Sequence, residues 1–81
     1  GLIAAYPNPT TGIIITEVNG VKGSNGIISV TDMNGTIVQQ KTVYTTGIGK
    51  HQFDLSNYAS GMYFVRYQDD KSDQTIKLIK Q

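Results

Sequence analysis

Apolar and polar positions along the 81-residue chain fall into short runs separated by turn-forming clusters. The apolar-rich runs cover residues 2–6, 13–18, 27–33, 36–44, 48–55, 62–68 and 74–80. Between them stand Pro7-Asn8-Pro9-Thr10-Thr11-Gly12, Asn19-Gly20, Lys22-Gly23-Ser24-Asn25-Gly26, Asn34-Gly35, Thr45-Thr46-Gly47, Ser60-Gly61 and Asp69-Asp70-Lys71-Ser72-Asp73. These residue types reverse a chain through positive φ, fixed φ or local side-chain hydrogen bonds. The runs have the length of ordinary strands. Side chains alternate between faces along a strand, so Tyr63, Val65 and Tyr67 share one face of the sixth run, and Met62, Phe64 and Arg66 share the other. One apolar-aromatic face and one half-apolar face are what a central strand needs. In the last run Ile76 and Leu78 point one way, with Lys77 and Ile79 opposite, and a one-residue slip would turn Ile76 and Leu78 outward. Ile13-Ile14-Ile15 does not reveal which parity faces inward. Seven short strands with turns this closely spaced predict an all-β sandwich, mainly antiparallel.

Three connections can be specified further. Asn34-Gly35 between two β runs predicts a type I′ hairpin turn, in which both residues take φ > 0. Asp32 is placed to accept backbone N–H bonds from that turn. Asp69–Asp73 predicts a second, longer hairpin. Residues 54–61 read as a single helical or 3₁₀ turn, capped by Ser56 or Asp54 and closed by Gly61.

Composition supports the same class. Ten Ile, six Val and nine Thr stand against three Leu and three Ala. β-Branched side chains lose freedom in helices and pack well on pleated sheets, so a helical bundle is excluded. The length bounds the chain to one domain, residues 1–81, in which Gly1 could be a cloning scar. A net charge of +1 without charge runs lacks the electrostatic footprint of a nucleic-acid binder. No apolar stretch approaches the roughly 20 residues that span a bilayer, and none reads as a signal peptide, so any export signal is expected outside this segment. Without cysteine there is no disulfide scaffold and no thiolate metal site.

Candidate chemistry is sparse. His51, on the parity of Phe53 and Leu55, lacks a nucleophile and an orienting acid, and reads as a strand-end histidine half out of solvent. Asp69, Asp70 and Asp73 lack the ligand spacing and glycine of a calcium loop, so a solvated hairpin tip is the better reading. Tyr63 and Tyr67 fall on the core face, which leaves Tyr44 and Tyr58 as surface contacts for a sugar. No enzyme, metal or cofactor is expected. Two segments exceed ordinary folding needs. Tyr6-Pro7-Asn8-Pro9 is a rigid, extended corner whose simplest role is to bend the chain between sheets. Lys77-Leu78-Ile79-Lys80-Gln81 is a strand running to the last residue, and an edge there offers unpaired backbone groups to a partner.

Taken in order, these segments resemble a known family, the type A C-terminal sorting domains of the type IX secretion system of Bacteroidetes. The resemblance runs from Tyr6 to Gln81. It comprises Tyr6-Pro7-Asn8-Pro9 with Thr10-Thr11-Gly12; Val30, Asp32, Asn34-Gly35 and Val38; Asp54-Leu55-Ser56; Ser60-Gly61-Met62-Tyr63; and Lys77-Leu78-Ile79-Lys80-Gln81. Three positions depart from the family pattern: Thr36 where a basic residue is common, Tyr58 where Leu is usual, and Met62 where a β-branched residue is frequent.

The resemblance implies an immunoglobulin-like sandwich acting as the last module, and the address, of a larger exported protein. It implies passage through the periplasm and recognition at the outer membrane by the type IX translocon and its shuttle proteins. It further implies removal by a sortase-like cysteine peptidase at or upstream of the segment before Tyr6, and display of the cargo on anionic lipopolysaccharide at the cell surface, or release. The sorting residues it points to are Tyr6, Pro7, Asn8, Pro9, Gly61, Tyr63, Lys77, Leu78, Lys80 and Gln81. On this reading Ile76 and Leu78 anchor the last strand and leave Lys77, Lys80 and the terminal backbone readable. Gly61 serves the chain reversal and Tyr63 packs beneath the strand. Edge strands could also pair two copies into a dimer. The alternatives are a carbohydrate-binding or adhesive immunoglobulin-like domain and a plain structural spacer.

Overall fold

The computed structural model describes residues 3–20 and 22–81. Its seven strands are β1 (Ile3–Tyr6), β2 (Ile13–Asn19), β3 (Asn25–Thr31), β4 (Ile37–Tyr44), β5 (Ile48–Asp54), β6 (Gly61–Gln68) and β7 (Asp73–Lys80). All seven correspond to the apolar runs; Leu2, counted in the first run, lies outside the described residues. One sheet has the order β1-β2-β5 and the other β4-β3-β6-β7. Every pairing between strands is antiparallel, giving the immunoglobulin-like sandwich expected.

The sheets meet through one parity of each strand. Ile14 and Val18 of β2, Ile28 and Val30 of β3, Phe53 of β5, Tyr63, Val65 and Tyr67 of β6 and Leu78 of β7 are all buried. This settles the isoleucine triplet, because Ile14 is fully inside while Ile13 is 52% exposed. Burying each such side chain contributes about 1.5–3 kcal/mol relative to leaving it in water. Lys41 and Gln39, on edge strand β4, reach across the sandwich and donate to the carbonyls of Gln52 and Asp54 on β5. Side chains of one sheet thereby satisfy backbone groups on the open edge of the other.

The connections follow the expected chemistry with two corrections, at the Asn34-Gly35 turn and at Gly61. Asn34 keeps a negative φ and only Gly35 is positive, at 84°, so the β3–β4 turn is not type I′. Gly35 N–H donates to the Asp32 carbonyl at 3.1 Å and Asp32 N–H to the Thr36 carbonyl at 3.0 Å. That pattern is a three-residue loop with a left-handed glycine, and the Asp32 carboxylate, accepting from Asn34 and Thr36 N–H, favours it over the shorter two-residue turn. The β6–β7 hairpin closes through Asp69 N–H to Ser72 carbonyl, as expected. Residues 55–58 form one hydrogen-bonded turn, closed by Tyr58 N–H to the Leu55 carbonyl, and Asp54 caps it by accepting from Ser56. Gly61 does not close this turn as expected, because the chain has already left it and Gly61 is the first residue of β6.

Tyr67 closes the core at the hairpin end. Its ring is fully buried, and a Cβ on Gly26 would come within 2.5 Å of it, so only glycine leaves room there. Its hydroxyl donates to the Asp69 carboxylate at 2.6 Å. Burial first, and the Asp69 carboxylate second, push the phenol from 10.0 up to about 12. The folded state therefore holds the protonated phenol more tightly than the unfolded chain does. This contribution to stability is whole below about pH 10 and is lost as pH rises toward 12. Tyr67→Phe should be less stable than the parent at neutral pH. The gap in melting temperature should shrink across that alkaline window, as thermal unfolding of both proteins against pH would register.

Candidate functional site

The segments singled out by sequence meet at one end of the four-stranded sheet. β7 is the edge strand there, paired on one side with β6 and leaving alternate backbone groups pointing outward. The segment between β1 and β2 covers them. The Asn8 side-chain amide donates to the Lys77 carbonyl at 2.8 Å and accepts from Ile79 N–H at 3.0 Å. Thr10 N–H donates to the Ile79 carbonyl at 2.9 Å, and Gln81 N–H donates to the Thr10 carbonyl at 2.8 Å. Thr10 thus forms a parallel bridge to Lys80, and the Asn8 amide extends the ladder by imitating a peptide group.

Local chemistry explains why this segment binds β7. Proline carries no backbone N–H, so Pro7 and Pro9 offer the edge no donor of their own. That leaves Asn8 and Thr10 to face it. The Tyr6–Pro7 and Asn8–Pro9 bonds are both cis. Thr10 is buried, and its hydroxyl donates to the Ile13 carbonyl and accepts from Gly12 N–H. The segment therefore joins two strands of one sheet, β1 and β2, while clasping the edge of the other. It does not carry the chain between sheets, as the sequence reading expected.

Gly61 opens β6 directly opposite Lys80, and Tyr63 lies opposite Leu78. Gly61 has φ 147° with open space around it, so backbone conformation and not crowding calls for glycine. Tyr63 and Leu78 are both buried, and the Tyr63 hydroxyl donates to the Ala59 carbonyl at 2.6 Å. The Asp32–Gly35 loop joins the same end: Asp32, Met33 and Asn34 line a shallow depression of about 200 Å³ with Ala59, Ser60, Gly61, Met62 and Tyr63. Tyr58 donates its hydroxyl to the Val38 carbonyl on β4, a bond the leucine that the resemblance leads one to expect could not make.

The tail differs from expectation in two respects. Lys80 is buried to 8% exposure, because it shares the inward parity of Ile76 and Leu78 and lies beneath the Thr10 bridge. Lys77 is exposed. The terminal backbone is not open either, since Lys77 O, Ile79 N, Ile79 O and Gln81 N are all engaged by Asn8 and Thr10. Tyr6 stands apart, opposite Ile15 on the other sheet and pointing its hydroxyl at Glu17. Pro7 and Pro9 are exposed beside the clasp. Thr10 as a bridging residue escaped the sequence reading, because nothing in a strand pattern marks a turn residue as an edge partner.

The remaining candidates do not assemble. His51 sits mid-strand opposite Thr16, not at a strand end, and burial followed by the nearby Lys41 charge lowers its pKa below 6.5. Asp73 forms an ion pair with Arg66 at 2.6 Å, and Asp69 holds Tyr67. No group of three or more potential metal ligands occurs among the described residues. Tyr44 is 64% exposed, while Tyr58 is half-buried and hydrogen-bonded to β4.

A family model described as the secretion system C-terminal sorting domain matches residues 4–81. The chain belongs to this family of type IX sorting domains. No curated protein matches it. A sorting domain is a non-catalytic module that interacts with the type IX secretion machinery, and such a tail implies export to the cell surface or secretion. No helix long enough and apolar enough to cross a membrane occurs among the described residues.

The sorting domain's clasp has a direct test. Asn8→Ala removes two hydrogen bonds from the β7 edge, each worth about 1 kcal/mol net. The variant should fold, lose about 1–2 kcal/mol in chemical denaturation, and exchange the Ile79 amide hydrogen much faster than the parent.

Proposed function

We propose that this sorting domain is an address read through its last strand and held in readable form by its own opening segment. The observation carrying this reading is the set of four hydrogen bonds by which Asn8 and Thr10 grip β7 between Lys77 and Gln81. They join the two ends of the domain's sequence into one surface. In this reading the cargo passes through the periplasm and the tail engages shuttle proteins and the outer-membrane translocon. A sortase-like cysteine peptidase then cuts at or upstream of the segment before Tyr6.

The sorting residues divide by role. Leu78 and Tyr63 hold β7 onto the core, Gly61 sets the path into β6, and Asn8 with Thr10 fixes the edge. The exposed side chains of Lys77 and Gln81 remain for the partner, while the buried Lys80 supports the strand from beneath. Tyr6, Pro7 and Pro9 position the clasp.

Two measurements test the proposal. A reporter fused ahead of the domain in a bacterium with a type IX system should reach the cell surface or medium, and deletion of residues 77–81 should leave it in the periplasm. Mass spectrometry of the exported cargo should find its new carboxyl end upstream of Tyr6. Undiminished export after the deletion, or a mature product that retains the whole domain, would overturn this reading.

A further inference from the structure

The outer face of the four-stranded sheet is mainly polar toward one end, Ile27 excepted, and richer in apolar side chains toward the other. Toward the Asp69–Ser72 turn, cross-strand neighbours on this face are Gln40, Ser29, Arg66 and Thr75, followed by Thr42, Ile27, Gln68 and Asp73. The Arg66–Asp73 ion pair lies in this half. Toward the clasped end the composition changes. Ile37, Thr31, Phe64 and Lys77 form one row across all four strands, and Met62 faces Ile79 in the next.

Met62, Phe64 and Ile79 are each half-buried, yet they lie on the parity opposite the core residues Tyr63, Val65 and Leu78. Met62 and Ile79 are cross-strand partners, and Phe64 stands diagonally from Ile79. Ile37 is 55% exposed, and Met33, at the rim of the depression that Met62 lines, is 68% exposed. A solvated sheet face ordinarily alternates polar-out, so Met62, Phe64 and Ile79 side by side at one end of it, with Ile37 beyond Thr31, mark an interaction surface.

We infer that Ile37, Phe64, Met62 and Ile79 form a ledge that docks a protein of the secretion machinery presenting an apolar ridge with an acidic rim. Charge selects this occupant. Lys77 stands beside Phe64 within the band and makes no ion pair among the described residues, whereas Arg66, in the polar half, is already neutralised by Asp73. A second copy of the chain is disfavoured, because a two-fold contact centred on Phe64 would bring two Lys77 side chains together in a desolvated interface. The inference rests on the proposed address and adds a surface to it. The tail contributes Lys77 and Ile79, and β6, β4 and the Asp32–Gly35 loop contribute the remainder. Tail residues alone would then be an incomplete signal.

The reporter fusion tests this with Phe64→Ser, Lys77→Glu and, in the polar half, Gln68→Ser. Thermal unfolding of each purified domain checks folding. Phe64→Ser should reduce export roughly tenfold or more, as loss of a central apolar anchor does at interfaces. Lys77→Glu alters an exposed side chain and should reduce export without lowering the melting temperature. Gln68→Ser should export like the parent. Parental export by both Phe64→Ser and Lys77→Glu, while deletion of 77–81 blocks it, overturns the ledge and leaves the address standing. Normal export after the deletion removes the address and the ledge together. A parent domain that sediments as a dimer, and as a monomer after Phe64→Ser, assigns the band to a second copy and overturns the heterologous partner.

Discussion

A β-sheet edge leaves every second N–H and C=O without a partner, and in this domain the edge that matters is β7 from Lys77 onward. Asn8 and Thr10 supply those partners from about 70 residues away along the chain. Their effect exceeds the energy of a few hydrogen bonds. With the outer edge engaged, β7 is fixed between β6 and the clasp, so its register is held from both sides. That register decides what is outside. Leu78 and Lys80 go inward and Lys77 and Ile79 go outward, and a shift by one position would exchange the two sets. The tail's chemistry as seen from solvent is therefore a consequence of the clasp.

The same constraint accounts for the economy of the rest of the domain. A chain this short has only a small core, and four sheet edges would each invite pairing with another chain. Open backbone groups are answered by side chains: Gln39 and Lys41 reach the carbonyls of β5, Tyr58 reaches Val38 on β4, and Asn8 reaches β7. These contacts use polar residues where further apolar packing is not available. Tyr58 serves both needs, since its hydroxyl gains a backbone carbonyl while the ring still packs against the core.

What could be read from the sequence followed the reach of the signals. Strand number and face were legible because period two is local, and Tyr63, Val65, Tyr67 and Leu78 all lie inside as their parity required. Asp32 and the Asp69–Ser72 hairpin were legible because turn chemistry acts over two to four residues. The form of the Asn34-Gly35 turn was not, since the Asp32 carboxylate selects between two arrangements that both accept that dipeptide. The clasp was illegible for a different reason. Its two halves are individually plausible as a corner and as an edge strand, and only three-dimensional proximity turns them into one feature. The inward position of Lys80 followed from the parity of Ile76 and Leu78, yet a lysine near the chain end invites the opposite assignment.

The clasp and the ledge bear on each other through Ile79. Its backbone is held by Asn8 and Thr10, while its side chain faces Met62 on the outer surface of the sheet. Any loosening of the clasp would free the backbone of a residue whose side chain belongs to the proposed docking band. The opening segment would then influence recognition without touching the partner, by deciding how well Ile79 and Lys77 are placed on the outer face. Such an arrangement suits a signal that should be read only on a folded domain. A linear peptide with the same last five residues would carry the charge and the apolar side chains, but it would have neither the fixed parity nor the neighbouring Phe64 and Met62 that give those side chains a surface to belong to.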